Sequence, residues 1–354
     1  MQAVPAFFTA ARILTRLLRD KETPSVGAVH DETWPGLDGK LTPVRKFIPR
    51  RPNGEWLVLF PGASPYAEKH PAMNQLSQAA SGAGFTVIIP RIPPLKALEI
   101  DPGIVDWVQH AYRWVRSQLP TTDTPVRLMG ASFGGPLVLK GLASGPLKEN
   151  PPASFLMYGP YYNMDTVLDY LCTGELRYDG QIRTQTVHEW GLVVFFHNFL
   201  GRIDPGYSVE GLRNVLAIRV TDDEQGAAEA GKRLSGKERE VAEALLSGQA
   251  TPEVRRLANL IRDSCQPIFE ALSPARFIHH PPGKIFIIHG RSDTMVPFTE
   301  SIHLARVLPE SRLLLTGLYK HSEMTGGGSW LHRGREALKI LRFLTAFLAE
   351  RPPA

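Results

Sequence analysis

Short apolar runs alternate with helical patterns in two parts of the chain, and this alternation constrains the fold more than any other sequence feature. The runs are Glu55–Phe60, Gly84–Pro90, Thr124–Gly130 and Ala153–Tyr158 in the first part, and Lys284–Gly290 and Arg312–Thr316 in the second. Short apolar runs bounded by glycine or proline are typical of buried parallel strands, which right-handed crossover helices join. The alternation predicts an α/β fold with a mostly parallel central sheet flanked by helices. The Pro- and Gly-containing stretch Glu22–Gly39 carries no predicted strand, and Lys40–Pro49 is predicted as a half-exposed strand.

The alternation stops in the middle of the chain. Residues 161–282 contain an aromatic stretch at Glu189–Leu200 and a highly charged helical stretch at Ala227–Arg262. The run Val215–Val220 has the composition of a strand, although it stands alone. We expect a helical cap or lid inserted into one sheet-centred domain. The predicted division is an N-terminal helix and extension at 1–39, the core at 40–160 and 283–354, and the insertion at 161–282.

Residues Pro5–Leu18 have the spacing of an amphipathic helix. The predicted apolar face contains Phe7, Phe8, Ala11, Ile13, Leu14, Leu17 and Leu18. We expect this face to pack on the body of the protein. A helix lying on a membrane surface is the alternative, because Arg12, Arg16 and Arg19 group on the opposite side.

The composition excludes several classes of protein. The chain has 354 residues, of which 43% are apolar and 21% charged, so it is not collagen-like, coiled-coil or disordered. No apolar run reaches the ~18–20 residues that span a bilayer, and Arg12 and Arg16 interrupt the N-terminal apolar stretch. We therefore expect a cytoplasmic protein without a signal peptide.

The net charge of +5 predicts a solvated basic face rather than nucleic-acid binding. The two cysteines, Cys172 and Cys265, have the spacing of neither a disulfide framework nor a zinc site.

The segment Gly130-Ala131-Ser132-Phe133-Gly134-Gly135 follows an apolar strand and opens a predicted helix. In that context Gly-x-Ser-x-Gly is typical of a nucleophile elbow, in which a sharp turn holds the serine at the carboxyl edge of the sheet. The glycines leave room for the turn, and the helix N-terminus favours negative charge on a bound substrate. Ser132 is therefore the candidate nucleophile. The alternative is a glycine-rich turn without chemistry.

A nucleophilic serine needs a base, and the base needs an orienting acid. Asp293 follows the predicted strand Lys284–Gly290, and His321 follows the next strand. Because the loops that follow parallel strands lie at the same edge of the sheet, we expect both side chains to converge on Ser132. His289 is expected to be a packed residue at a strand end. The alternative acids are Asp165, Asp222 and Asp223.

The chain resembles the α/β-hydrolase superfamily. The resemblance is carried by the motif around Ser132, by the stretch Asp293-Thr294-Met295-Val296-Pro297 and by His321. The resemblance covers Lys40–Tyr161 and Lys284 to the C-terminus, and it implies the fold predicted above. It also implies Ser132 as the nucleophile, His321 as general base and then acid, and Asp293 as the orienting acid. The resemblance implies no cofactor.

Two backbone N–H groups form the oxyanion hole in this superfamily. The resemblance assigns them to Phe133, which follows the serine, and to Ala63, in the loop after an early strand. Many members carry histidine before the glycine of that loop, whereas this chain has Pro61. Because the donors belong to the backbone, we expect the hole to be retained.

The insertion lies where members of the superfamily commonly carry a cap over the active site. The candidate pocket residues are Trp190, Phe195, Phe196 and Phe199, with the core of the cap itself as their alternative location. We expect a serine hydrolase that cleaves small esters with an apolar acyl part, as a monomer or homodimer and without a metal. The alternatives are a thioesterase, an amidase, a carbon–carbon bond hydrolase, or a non-catalytic protein that binds a small ligand.

Overall fold

An eight-stranded sheet organises the chain in the computed structural model, which describes residues 3–18, 27–278, 283–318 and 330–351. The strands are β1 (Gly27–Pro35), β2 (Leu41–Pro49), β3 (Trp56–Phe60), β4 (Thr86–Pro90), β5 (Val126–Ala131), β6 (Ser154–Tyr158), β9 (Lys284–Gly290) and β10 (Arg312–Thr316), with a separate hairpin of β7 (Glu175–Tyr178) and β8 (Gln181–Thr184). Their order across the sheet is β1-β2-β4-β3-β5-β6-β9-β10. β2 pairs antiparallel with β1 and β4, and the other pairs are parallel. The predicted mostly parallel sheet is confirmed.

Helices cover both faces of this sheet. The helices of the sheet domain are α1 (Ala3–Leu18), α2 (Pro71–Gly82), α3 (Pro93–Lys96), α4 (Ile104–Ser117), α5 (Gly134–Gly141), α6 (Gly145–Glu149), α14 (Phe298–Val307) and α15 (Trp330–Ala349). Val58 of β3 belongs to one core, which includes Val108 of α4, whereas its neighbour Leu57 belongs to a second core, which includes Phe343 of α15. Successive strand residues point to opposite faces, so an apolar run buried on both sides marks a strand between two helical layers.

The segment between β6 and β9, here called the insertion, is mostly helical. It contains α7 (Met164–Thr173), the hairpin β7–β8, α8 (Glu189–Phe199), α9 (Glu210–Arg219), α10 (Glu224–Lys232), α11 (Gly236–Leu246), α12 (Pro252–Leu272) and α13 (Pro274–Phe277). It starts after the sixth strand, so it leaves the sheet at the carboxyl edge, and it is followed by the start of β9 at the opposite edge. Within the described residues, no helix has both the length and the apolar character that a bilayer crossing requires.

Two sequence predictions about local structure are wrong. Val215–Val220 is not a strand: its first five residues lie in α9 and Val220 follows the last residue of that helix. Leu212, Val215 and Leu216 are buried at helical spacing, and an apolar run resembles a strand only in isolation. The stretch Glu22–Gly39 contains β1, which pairs with β2 from Gly27 opposite Pro49. Most of β1 is exposed, so its sequence lacks the apolar alternation that identifies a strand.

Helix α1 packs against α15 and α2 as predicted, but the buried face overlaps the predicted one only in part, at Ile13 and Leu14. The buried residues are Ala6, Ala10, Ile13 and Leu14, whereas Phe7, Phe8 and Leu18 are exposed. The reason is steric. Two alanines let the α1 backbone approach the neighbouring helices closely, and the phenylalanine rings would hold it away.

Candidate active site

Ser132 lies in the turn between β5 and α5 with a left-handed backbone conformation, φ = +46°. Its N–H donates to the carbonyl of Tyr158 on the adjacent strand at 2.7 Å, and its own carbonyl accepts from the N–H of Gly135 at 3.1 Å. Residues other than glycine rarely adopt this conformation; in this chain Ala67, Leu98, Asp179 and Asp222 share it, and such strain clusters at functional sites. The local geometry is that of a strained strand-to-helix turn presenting a serine.

The glycines around Ser132 are required by the close approach of three backbone segments. A Cβ on Gly130 would lie 2.6 Å from Cα of Gly135, and one on Gly134 would lie 2.5 Å from the carbonyl oxygen of Pro61. Real Cβ atoms do not approach backbone atoms so closely. The turn can therefore form only with glycine at these positions.

The loop after β3 packs directly on this turn. A Cβ on Gly62 would lie 3.0 Å from Cβ of Ser132 and 3.6 Å from the backbone nitrogen of Phe133. The loop is anchored further along by the N–H of Ser64, which donates to the carbonyl of Leu95 at 3.1 Å. The segment that carries Ala63 and the N–H of Phe133 are thus brought together, while their joint role as oxyanion donors stays a prediction.

Asp293 lies in the turn after β9 and is almost completely buried. One carboxylate oxygen, Oδ1, accepts hydrogen bonds from the N–H groups of Met295 and Val296, both at 2.9 Å. The N–H of Asp293 donates to the carbonyl of Gly290 at 3.2 Å. These bonds hold the carboxylate in a single orientation at the carboxyl edge of the sheet.

His289 is completely buried, as expected for a packed residue at a strand end. Its Nε2 lies 3.0 Å from the carbonyl oxygen of Val296 and 3.3 Å from Oδ2 of Asp293, and its Nδ1 lies 2.7 Å from Oγ of Ser301. With a proton on Nε2, the ring donates to the turn that carries Asp293, here called the acid turn, while Nδ1 accepts from the hydroxyl of Ser301. Sequence reasoning missed this contact with Asp293, although the spacing of four residues across a tight turn was a signal for it.

The sheet register aligns the ends of the strands that carry these residues. Ala131 of β5 is opposite Tyr158 of β6, and Tyr158 is opposite Ile288 of β9. Strands lie about 4.8 Å apart, so the end of β5 and the end of β9 are about 10 Å apart across β6. Ser132 and the Asp293 turn therefore open at the same edge. The predicted base His321 lies outside the described residues; the last described strand before it, β10, pairs with β9 at this edge.

The three alternative acids all lie on the insertion and have other contacts. Asp165 lies in the first turn of α7, 3.6 Å from the guanidinium of Arg262, and burial raises its pKa. Asp223 caps α10 by accepting from the N–H of Gly226 at 2.8 Å. Asp222 accepts from the hydroxyl of Tyr66. Asp293 lies in the turn directly after a strand of the main sheet, whereas Asp165 lies in the helix that follows β6.

The insertion contacts the loops on both sides of Ser132. The N–H of His188 donates to the carbonyl of Thr294 at 3.0 Å, and the amide of Gln185 donates to the carbonyl of Asp293 at 2.5 Å. On the opposite side, Tyr66, in the loop after β3, donates to Asp222 of the insertion. The insertion therefore lies over the carboxyl edge of the sheet, between the acid turn and the loop after β3.

A buried glutamate attaches the start of the insertion to the sheet domain. Glu300 of α14 accepts from the N–H groups of Tyr162 and Asn163 at 2.9 and 2.8 Å, and from the hydroxyl of Thr166 at 2.8 Å. Burial raises the pKa of this carboxyl group, and the hydrogen bonds oppose that shift. Sequence reasoning did not identify Glu300.

The aromatic residues predicted to line the pocket lie in and near the core of the insertion. Phe195 and Phe199 form a cluster with Phe269, with ring centroids 5.1 to 5.4 Å apart, and Phe196 is also fully buried. Trp190 is half-buried beneath the guanidinium of Arg219 at 4.8 Å. As pocket residues these four stay a prediction. Next to the serine, Phe133 stacks on Tyr161 at 5.6 Å, a contact that the sequence did not indicate.

In the part of the chain that the structure describes, no group of three or more His, Cys, Asp or Glu side chains is placed to hold a metal ion. No protein-family model and no curated protein matches the sequence.

Solved structures provide the comparison instead. A puromycin hydrolase matches with a TM-score of 0.52 and 11% identity over 94% of this chain and 40% of its own. A puromycin-hydrolysing peptidase of Mycobacterium tuberculosis matches with a TM-score of 0.51 and 13% identity, again over 94% and 40%. An esterase of Pyrococcus furiosus has a TM-score of 0.47 and 13% identity, over 94% and 96%.

The chain spans less than half the length of the two puromycin hydrolases. At 11% and 13% identity, the similarity to these two structures shows the fold of the chain and nothing more specific. With the strand order, the similarity to the two puromycin hydrolases, whose TM-scores exceed 0.5, shows that the chain has the α/β-hydrolase fold. This confirms the predicted fold class and, at the level of the fold, the resemblance.

Proposed function

We propose that the chain is a serine hydrolase that cleaves carboxylic esters through an acyl-enzyme. The observation that carries the proposal is the backbone conformation of Ser132, which has a positive φ in the turn between β5 and α5. Gly62, in the loop after β3, packs closely against this turn. A left-handed conformation at a residue other than glycine costs about 1–3 kcal/mol. A turn without chemistry could place glycine there at no such cost, so the strain supports a role for the serine hydroxyl.

In the proposed reaction, Ser132 Oγ attacks the ester carbonyl while His321 takes the hydroxyl proton. The C–O bond to the alcohol then breaks, and His321 returns the proton to the leaving oxygen. Water attacks the acyl-enzyme in the second half-reaction, with His321 again as the base. The acid is released, and Ser132 is regenerated with its proton.

Negative charge develops on the carbonyl oxygen during both attacks. In the proposed site, the N–H groups of Phe133 and Ala63 donate to this oxygen. The close approach of Gly62 to Ser132 and Phe133 supports this assignment, because it brings the loop after β3 to the start of α5. The N-terminus of α5 adds its partial positive charge at the same place.

Asp293 orients the imidazole of His321 in this mechanism and stabilises its positive charge. Support comes from the burial of Asp293 and from the two N–H groups that fix its Oδ1. A carboxylate held by backbone donors keeps its position while the histidine gains and loses a proton. The insertion lies over this edge of the sheet, so the proposed acyl pocket lies between the insertion and Ser132.

The test is hydrolysis of p-nitrophenyl esters from acetyl to palmitoyl by the wild-type chain and by Ser132→Ala. Ser144→Ala, at an exposed serine, is the matched control. We expect turnover that Ser132→Ala abolishes and Ser144→Ala leaves unchanged. The ester with the highest kcat/KM then reports the length of the acyl pocket.

Matched thioester and amide substrates, with a fluorophosphonate probe, distinguish the other readings. Faster turnover of the thioester or the amide would assign that bond in place of the ester. Ester turnover that survives Ser132→Ala would refute the nucleophile. If no substrate is turned over and the probe does not label Ser132, a ligand-binding protein without catalysis replaces the proposal.

A further inference from the structure

The outer face of α1 is apolar, whereas the outer face of a surface helix is usually polar. Val4, Phe7, Phe8 and Leu18 are each between 44% and 62% exposed. The rings of Phe7 and Phe8 are in edge contact, with centroids 5.8 Å apart. Among the described residues twelve large apolar side chains are exposed, and four of them lie on this helix. Such concentration marks a contact surface rather than scattered exposure.

These four side chains are not needed for the packing of α1. The helix already buries Ala6, Ala10, Ile13 and Leu14 against α2 and α15. Exposed phenylalanines add nothing to that core and reduce solubility. A partner that covers the outer face would explain their presence.

The charges beside this face indicate what the partner is. Helix α1 contains Arg12 and Arg16 and no aspartate or glutamate. The adjacent helix α15 exposes Arg335, Leu338 and Arg342. A surface that combines exposed apolar side chains with cations is complementary to a bilayer that contains anionic lipids.

The acid on this part of α15 does not offset those cations at the surface. Glu336 is buried, accepts from the hydroxyl of Thr316 at 2.8 Å, and pairs with Lys339 at 2.6 Å. A second copy of the chain is a poorer occupant, because a symmetric contact would bring Arg12, Arg335 and Arg342 against cations of the same kind.

We propose that the protein docks reversibly on anionic lipid bilayers through the α1–α15 face. This face consists of Val4, Phe7, Phe8, Arg12 and Leu18 on α1 and Arg335, Leu338 and Arg342 on α15. The phenylalanines enter the boundary between headgroups and acyl chains, and the arginines contact the lipid phosphates. Docking of this kind is independent of the proposed hydrolase activity.

The experiment is flotation of the full chain with vesicles of phosphatidylcholine, either alone or with roughly one third phosphatidylglycerol. We expect binding to the mixed vesicles that weakens with added salt, and little binding to phosphatidylcholine alone. Phe7→Ser/Phe8→Ser should lower the partition coefficient at least ~10-fold. Arg12→Glu should lower it severalfold.

The matched control is Leu37→Ser/Leu41→Ser, which removes two exposed apolar side chains near the turn between β1 and β2. It should bind vesicles like the wild-type chain. Thermal unfolding of every variant separates loss of docking from loss of folding. Because the substituted side chains are exposed, we expect each variant to unfold within a few degrees of the wild-type temperature.

Three outcomes would overturn the proposal. One is a wild-type chain that does not float with the mixed vesicles. Another is equal loss of flotation in the control and in Phe7→Ser/Phe8→Ser. The third is a dimer in light scattering that Phe7→Ser/Phe8→Ser converts to a monomer, since a second copy would then occupy the face.

Discussion

Replacement of Gly62 by alanine should separate the geometry of the candidate site from the stability of the fold. The added Cβ would lie 3.0 Å from Cβ of Ser132 and 3.1 Å from the carbonyl oxygen of Ala131. Optimal contacts between carbon atoms are about 3.5–4.0 Å, so the loop after β3 must move away by about 0.5 Å. That movement displaces the predicted oxyanion donor at Ala63 from the start of α5.

The size of the effect follows from this displacement. A shift of about 1 Å in a catalytic site can cost about 100-fold in rate, and loss of one oxyanion donor costs a similar factor. We therefore expect kcat of Gly62→Ala to fall by about 10- to 100-fold with KM little changed. Overpacking of this kind costs about 1–3 kcal/mol of the free energy of unfolding, which leaves the protein folded.

Two further glycines make the comparison quantitative. In Gly134→Ala the Cβ would meet the carbonyl oxygens of Pro61 and Phe60 at 2.5 and 2.8 Å, so we expect the larger loss of stability. Gly334 is exposed in α15, with nothing among the described residues within 4 Å of its Cβ position. Gly334→Ala should raise the free energy of unfolding by about 0.5–1 kcal/mol and leave kcat unchanged.

The assay is kcat and KM on the best p-nitrophenyl ester together with urea unfolding of each variant. Wild-type kcat in folded Gly62→Ala would refute the reasoning, because it would mean that the loop after β3 has no part in catalysis. Activity that falls only in proportion to the unfolded fraction would have the same meaning.

Three other positions test the supporting contacts. Asp293→Ala leaves two backbone N–H groups without their acceptor, so it should lower the free energy of unfolding in urea by about 2–4 kcal/mol. Asp293→Asn retains an acceptor oxygen and should lose less stability, but it should still lower ester turnover by about 1000-fold or more. Equal turnover in Asp293→Asn and the wild type would exclude Asp293 as the acid. Tyr66→Phe removes the hydroxyl that donates to Asp222. Because this bond holds the segment around Asp222, we expect amide hydrogen exchange over residues 219–226 to be about threefold faster in the variant. Unchanged exchange would mean that this bond does not hold the insertion. Burial raises the pKa of Glu300, so the folded state holds that proton more tightly than the unfolded state, and wild-type stability is lost as pH rises through the raised pKa. Glu300→Gln should therefore gain thermal stability over the wild type at pH 8 and not at pH 4; the same difference at both pH values would contradict this.

The sheet could be predicted from the sequence because its strands are apolar on both faces and stop at glycine or proline. β5 and the turn at Ser132 are the clearest case, since strand, glycines and helix all indicate the same geometry. β1 could not be predicted in this way: its only fully buried side chain is Trp34, and backbone pairing with β2 holds the rest. Its formation depends on a partner strand rather than on its own pattern.

Contacts over long separations were also beyond sequence reasoning. Tyr66 and Asp222 are 156 positions apart, and Gln185 and Asp293 are 108 apart. Neither pair belongs to a motif, and only the placement of the insertion brings them together. The exposed phenylalanines of α1 illustrate the same point, because helical spacing defines a stripe but not which side of it meets the body.

Hydrogen bonds to backbone groups hold the insertion on both sides of the candidate site. On the acid side, Gln185 and His188 donate to backbone carbonyls of the turn that carries Asp293. On the other side, Asn198 of α8 donates to the carbonyl of Leu98 and accepts from the N–H of Ile100, both at 2.8 Å. The bond between Tyr66 and Asp222 lies on this side too, but it joins two exposed side chains, and such bonds contribute little to stability. Loss of the Tyr66 hydroxyl would therefore leave the insertion in place, because backbone groups of the sheet domain still hold it on both sides.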